Sequence, residues 1–141
     1  MASDTQTAPV SKKGLLAGRI MSGLVIAFLT FDVVFKFVKP APPSVVEAFA
    51  RLGWPVSLAP VLGTILLVCT ALYVIPNTSV LGAILVTGYL GGAVATHFRV
   101  GDPLFSHVLF PTYLGVLLWG GLYLREPRLR ALIPLRTPKV T

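Results

Sequence analysis

The sequence predicts an all-α integral membrane protein: a four-helix transmembrane bundle with a short amphipathic surface helix between the first and second spans. Three observations carry this expectation. Four apolar runs of about 20 residues follow one another, each long enough for about 30 Å of hydrocarbon. Apolar residues make up 55% of the chain and charged residues only 12%, with a mean hydropathy of +0.82; a soluble domain carries about twice that charge fraction. Strong turn signals separate the runs: Pro40-Ala41-Pro42-Pro43, Pro76-Asn77 and Arg99-Val100-Gly101-Asp102-Pro103. With 141 residues the chain fits one domain.

Residues 1–14 are polar, end near Lys12-Lys13 and are expected to be a disordered cytoplasmic tail. The first span is expected at about Leu15–Val38. Arg19 near its start, Asp32 and Lys36 near its end, and no small-residue cleavage site after it mark it as an uncleaved span rather than a signal peptide. Ser44-Val45-Val46-Glu47 then has the spacing of a capping box and starts a short helix. Val45, Val46, Phe49 and Leu52 share one of its faces, while Glu47 and Arg51, at i and i+4, share the other. This segment is too short to span, so it is expected on the membrane surface with Trp54 as an interfacial anchor. The second, third and fourth spans are expected at about Val56–Ile75, Thr78–Phe98 and Leu104–Leu124. Together they complete a transmembrane domain over residues 15–135, followed by a cytoplasmic tail over 136–141.

The net charge of +7 sits beside the apolar blocks and no basic-aromatic platform for bases exists. The positives therefore read as topology signals and anionic-lipid contacts, and nucleic acid is excluded as a partner. The ends on the terminal side hold Lys12, Lys13, Arg19, Arg125, Arg128, Arg130, Arg136 and Lys139. The opposite side holds Lys36, Lys39, Arg51 and Arg99. This asymmetry predicts a multi-pass protein of the cell (inner) membrane with both termini in the cytoplasm.

Polar residues inside apolar runs are the candidate functional groups. Asp32 lies about 10 Å inside the end of the first helix, where an ionised carboxylate is costly unless partnered. Lys36, one turn on, is the obvious partner. His97 and Arg99 close the third span, Asp102 sits in the turn, and His107 opens the fourth span. An up-down topology brings the end of the first span, the end of the third and the start of the fourth to one side. Asp32, Lys36, His97, Arg99, Asp102 and His107 are therefore expected to cluster near the extracytoplasmic surface, with nothing comparable in the cytoplasmic half. Pro111 removes the partner of the His107 carbonyl, so a kink opening a pocket beside His107 is expected.

Other residues point to packing. Gly88, Gly92 and Thr96 recur every four residues, a pattern that lets a neighbouring backbone approach, either within the bundle or in a homodimer. Gly115, Gly120 and Gly121 read the same way. Cys69, the single cysteine, reads as a packed, inert thiol. His97, Asp102 and His107 match no metal-ligand spacing, and a bis-histidine haem would need histidines nearer mid-membrane, so no metal is expected. No serine-hydrolase, phosphate-loop or zinc-protease motif is present.

The stretches Leu72-Tyr-Val-Ile-Pro76 and Val80–Pro103, the run Thr87–Pro103 within the latter, Phe31-Asp32, Leu52-Gly53-Trp54-Pro55 and Tyr113–Arg125 resemble the bacterial DoxX-like family. The resemblance covers about residues 15–135 and implies four transmembrane helices. The family's namesake is a membrane subunit of a thiosulfate:quinone oxidoreductase; relatives are implicated in oxidative-stress complexes, methylamine oxidation and receptor assembly. His97, Arg99 and Asp102 match the family pattern without an assigned role.

The expected function is that of an accessory membrane component linked to redox metabolism, non-catalytic as an isolated chain or a membrane subunit of an oxidoreductase complex. It would hold a quinone or another amphiphile, with Asp32 and His97 hydrogen-bonding the ligand and Arg99 favouring negative charge. Two alternatives stand beside it. In a small-solute or proton-linked transporter, Asp32 and Lys36 would relay charge. In a non-catalytic assembly or scaffold protein, the polar cluster would lock onto a protein partner.

Overall fold

The computed structural model describes residues 10–132, and the expectations for residues 1–9 and 133–141 lie outside the described residues. Six α-helices and no strand occur among the described residues: α1 (Lys12–Phe37), α2 (Pro43–Leu52), α3 (Ala59–Val74), α4 (Ser79–Arg99), α5 (Phe110–Arg125) and α6 (Pro127–Leu132). Single 3₁₀ turns, Val56–Leu58 and Pro76–Thr78, lead into α3 and α4. A π-helical turn, Leu104–Val108, leads into α5. With these turns, four helices are long and apolar enough to cross a membrane. The fold is an all-α membrane helical bundle.

Local chemistry sets the boundaries. Ser11 caps α1 by accepting the Gly14 N–H at 3.1 Å, so Lys12–Gly14, read from sequence as the end of a tail, are helical. The capping box expected at Ser44 and Glu47 does not form. Pro42 is the N-cap and Pro43 the first helical residue, so Ser44 already lies inside the helix, and proline's preset φ starts it instead. Gly53, at φ +72°, ends α2 in the left-handed conformation that glycine adopts without strain. Pro111 falls in the first turn of α5, where its missing N–H costs nothing. The bend lies earlier, in the π turn, where Val108 and Leu109 donate to the carbonyls of Pro103 and Leu104 five residues back.

The four long helices form a ring. α1 packs on α3 and α5, and α4 packs on the same two from the opposite corner. Val25, Leu29, Leu66, Tyr73, Ala83, Val86, Leu118 and Leu122 fill the centre. Leu16, Ile20, Leu24, Phe31, Ile65, Val68, Ile84 and Val116 point outward, as expected where lipid is the solvent and only helix-internal hydrogen bonds are tolerated. The hydroxyls of Thr64, Thr70, Thr87 and Thr96 each donate to the carbonyl four residues back.

Close helix approach occurs at Gly121, one of the expected glycines, and at Gly18 and Gly82, which were not singled out. A Cβ on Gly18 would lie 2.9 Å from the Gly121 carbonyl, and one on Gly121 would lie 2.9 Å from the Ser22 nitrogen, so α1 and α5 touch backbone to backbone there. Gly82 meets the backbone of Leu72 and Tyr73 where α3 turns into α4. Gly88 and Gly92 have nothing within 4 Å of the position of a Cβ. Among the described residues no helix packs against them.

Candidate functional site

α1 and α4 stand at opposite corners, so the missing glycine side chains leave room between them. A cavity of about 570 Å³ opens at the end of the bundle that carries α2, within the size range of small-molecule sites. Its floor on α4 is Gly88, Gly92 and Thr96. Aromatic side chains from four helices wall it: Phe28, Phe31 and Phe35 from α1, Phe49 from α2, Tyr89 from α4, and Phe110 from α5. Phe28 and Phe110 meet edge to face, with ring centroids 5.2 Å apart. α2 lies over the opening and contributes Ser44, Val45, Ala48, Phe49, Arg51 and Leu52, with Trp54 just beyond it.

Three ionisable groups expected from sequence line this cavity: Asp32, Lys36 and His97. Lys36 donates to Asp32 Oδ1 at 2.5 Å; the lysine side chain is 11% exposed and the aspartate 35%. The lysine head is therefore neutralised inside the wall while the carboxylate retains an open side facing the cavity region. His97 Nδ1 lies 2.6 Å from Asp102 Oδ2. With Asp102 ionised, Nδ1 carries the proton and donates it, leaving Nε2 as the acceptor of the neutral ring.

The other three expected residues stand outside the cavity wall. Arg99 donates to the Leu52 carbonyl at 2.6 Å, one of the groups that the end of α2 leaves without a helical partner. Arg99 is not among the residues lining the cavity. Asp102 accepts from Arg51 Nη1 at 2.7 Å as well as from His97. His107 pairs with Ser106 at 2.8 Å, its ring centroid 6.1 Å from that of His97. The cavity is lined on this side by Phe110 and Pro111, while His107 lies just outside its lining.

Arg99 and Asp102 therefore fasten α2. Two contacts, Arg99 to Leu52 and Asp102 to Arg51, tie the end of the surface helix to the end of α4, and Asp102 links that tie to His97 in the cavity. The hydrogen bond from His97, and secondarily the Arg51 charge, hold the Asp102 carboxyl below its ordinary value of 3.8. Sequence reasoning paired Arg51 with Glu47; nothing in local spacing marks a partner 51 residues away. The aromatic wall was also missed, because phenylalanines inside apolar spans carry no signal separating a cavity lining from a lipid face.

A second polar group lies at the opposite end, where sequence reasoning expected none. The Ser22 hydroxyl is 2.9 Å from Tyr73 Oη, Tyr73 Oη donates to the Leu118 carbonyl at 3.0 Å, and Arg125 Nε donates to Ser22 Oγ at 3.1 Å. Ser22 and Tyr73 are buried. A serine and a tyrosine in apolar runs are too common to announce such a network.

A sequence model of the DoxX-like family matches residues 20–121. No curated protein and no solved structure matches the chain.

Proposed function

The chain belongs to the DoxX-like family, and from that premise we propose that it binds an amphipathic, ring-bearing ligand of the quinone class as an accessory component of membrane redox metabolism. The observation that carries the reading is the 570 Å³ cavity itself: an aromatic wall with a small-residue floor, and a carboxylate, an ammonium and an imidazole at its polar side. Flat rings stack favourably on such walls, and a few converging polar groups fix orientation in a mostly apolar site. In this reading Asp32 and Nε2 of His97 accept hydrogen bonds from the hydroxyls of the ligand's reduced, quinol form, Lys36 holds the Asp32 carboxylate in place, and α2 covers the bound ring. The protein sits in the cell membrane with both termini in the cytoplasm, as the positive charges favour.

One further observation favours holding a ligand over carrying it across. Between the cavity and the far end, each long helix contributes a side chain to a closed apolar layer: Val25, Leu66, Val86 and Leu118, all 0% exposed. A transporter would have to part that layer. Uptake of candidate solutes into proteoliposomes tests the transport alternative directly.

The central test is organic extraction of gently purified protein, assayed for isoprenoid quinone, alongside Asp32→Asn and His97→Ala. Stoichiometric quinone in the parent protein, lost in the variants, is the expected result. Quinone at the lipid background in every sample removes the reading, and capture of a stoichiometric protein partner after mild extraction would then support the assembly alternative.

A further inference from the structure

Arg125, at the end of α5, lies outside the cavity lining. Its guanidinium is partly buried at the end of α5 and held from two sides. Nε donates to Ser22 Oγ at 3.1 Å, and the central carbon lies 5.2 Å over the Tyr73 ring. Because Tyr73 donates to the Leu118 carbonyl, Ser22 must donate to Tyr73, which leaves the serine oxygen to accept from the arginine. The relay therefore has one direction throughout and fixes the plane of the guanidinium.

No carboxylate answers this charge among the described residues: the ion pairs found there join Lys36 to Asp32, and Arg51 and His97 to Asp102. Neither Nη group of Arg125 has a hydrogen-bond partner among the described residues, where only its Nε is engaged. The adjacent acid, Glu126, accepts the Arg128 N–H on Oε1 at 3.2 Å and makes no ion pair with Arg125 among the described residues. Around it the same end of the bundle carries Lys12, Lys13, Arg19, Arg128 and Arg130. Arg130 is likewise fixed, donating to the carbonyls of Tyr123 and Leu124 at 2.9 and 3.3 Å. A partly buried, oriented and unneutralised guanidinium calls for an anion, and its fork geometry suits phosphate oxygens. The ends of spanning helices lie at the depth of lipid headgroups.

We propose that Arg125, oriented by Ser22 and Tyr73, is a binding site for a phosphate group, supplied by an anionic phospholipid at the end of α5. The site holds the bundle's terminal end at a fixed depth and selects anionic lipid for its annulus.

Native mass spectrometry of the full chain in detergent tests this, with phosphatidylglycerol, phosphatidylcholine of the same acyl chains, and inorganic phosphate as separate probes. The expected result is preferential retention of phosphatidylglycerol, reduced roughly tenfold in Arg125→Gln and unchanged in Arg128→Gln, an exposed arginine on the same end. Should Arg125→Gln unfold, Ser22→Ala keeps the charge and removes its anchor; it is expected to lower retention several-fold, and Arg125→Lys to lower it as well. Arg125-dependent binding of inorganic phosphate alone, with no preference between the lipids, supports the phosphate site and reassigns its source to a free anion. Equal retention of both lipids in the parent protein and in Arg125→Gln, without phosphate binding, overturns the proposal.

Discussion

The two ends of this bundle use glycine in opposite ways. At the terminal end, Gly18 and Gly121 bring α1 and α5 into backbone contact, and a methyl group at either has no room. At the α2 end, Gly88 and Gly92 repeat at the same spacing that favours helix contact, yet nothing lies within 4 Å of where their side chains would be. Small residues permit close approach but do not compel it. The rest of the interface decides whether the space closes around a partner helix or stays open as a cavity. Here α1 and α4 stand at opposite corners, held apart by α3 and α5, so among the described residues the stripe on α4 meets no helix.

Substitutions at the two kinds of glycine should separate most sharply. Gly121→Ala is expected to cost about 1–3 kcal/mol by forcing α1 and α5 apart. Gly92→Ala should be neutral or stabilising by up to about 1 kcal/mol, since the added methyl meets open space and helix propensity improves. Thermal unfolding in detergent measures both, and equal losses would erase the contrast. Gly92→Leu extends the comparison to function. It should leave unfolding near the parent value while filling the cavity, so that quinone retention falls in a protein that remains folded. Retention unchanged in that variant would place the ligand elsewhere.

A smaller effect is expected where the terminal end is joined by polar contacts. Ser22→Ala removes the hydroxyl between Tyr73 and Arg125 and should cost about 1–2 kcal/mol, read by the same unfolding assay. The tie on α2 should be weaker in global terms, because Arg51 is half exposed and water screens its charge. Its effect is local. Arg51→Ala or Asp102→Asn should raise amide exchange along α2 with little change in α1, α3, α4 or α5.

The smallest expected effect is a pH dependence of that tie. The Asp102 carboxyl titrates below its ordinary value because His97 donates to it and Arg51 faces it. A group lowered in the folded state stabilises above its unfolded value and loses that contribution as pH falls through the folded one. Protection of α2 should therefore hold at 3.8 and above and decline below it, and Asp102→Asn should show no such decline. A decline that persists in Asp102→Asn would assign the titration to another group.

The two ends also differ in how legible they were. Asp32, Lys36 and His97 stood out because a charge in an apolar run is expensive and needs a reason, and all three line the cavity. Arg99 and Asp102 stood out for the same reason but serve α2 rather than the cavity, since only folding sets Arg99 on the Leu52 carbonyl and Arg51 on Asp102. Ser22, Tyr73 and Arg125 drew no notice together. They lie on three different helices, and hydroxyls are tolerated in spans wherever a carbonyl is near.

Composition, run length and turn residues determined by themselves that the chain is an all-α bundle of four long apolar helices with a short amphipathic one, and fixed the breaks to within a few residues. This follows because a bilayer leaves an isolated segment one way to satisfy its backbone, and that requirement is local. The tertiary structure alone decided which glycines close a contact and which open a cavity, which ionisable groups face it, and that Arg125 is held by Ser22 and Tyr73. Those outcomes depend on which helices become neighbours, and neighbours are chosen by the packing of whole faces rather than by any one residue.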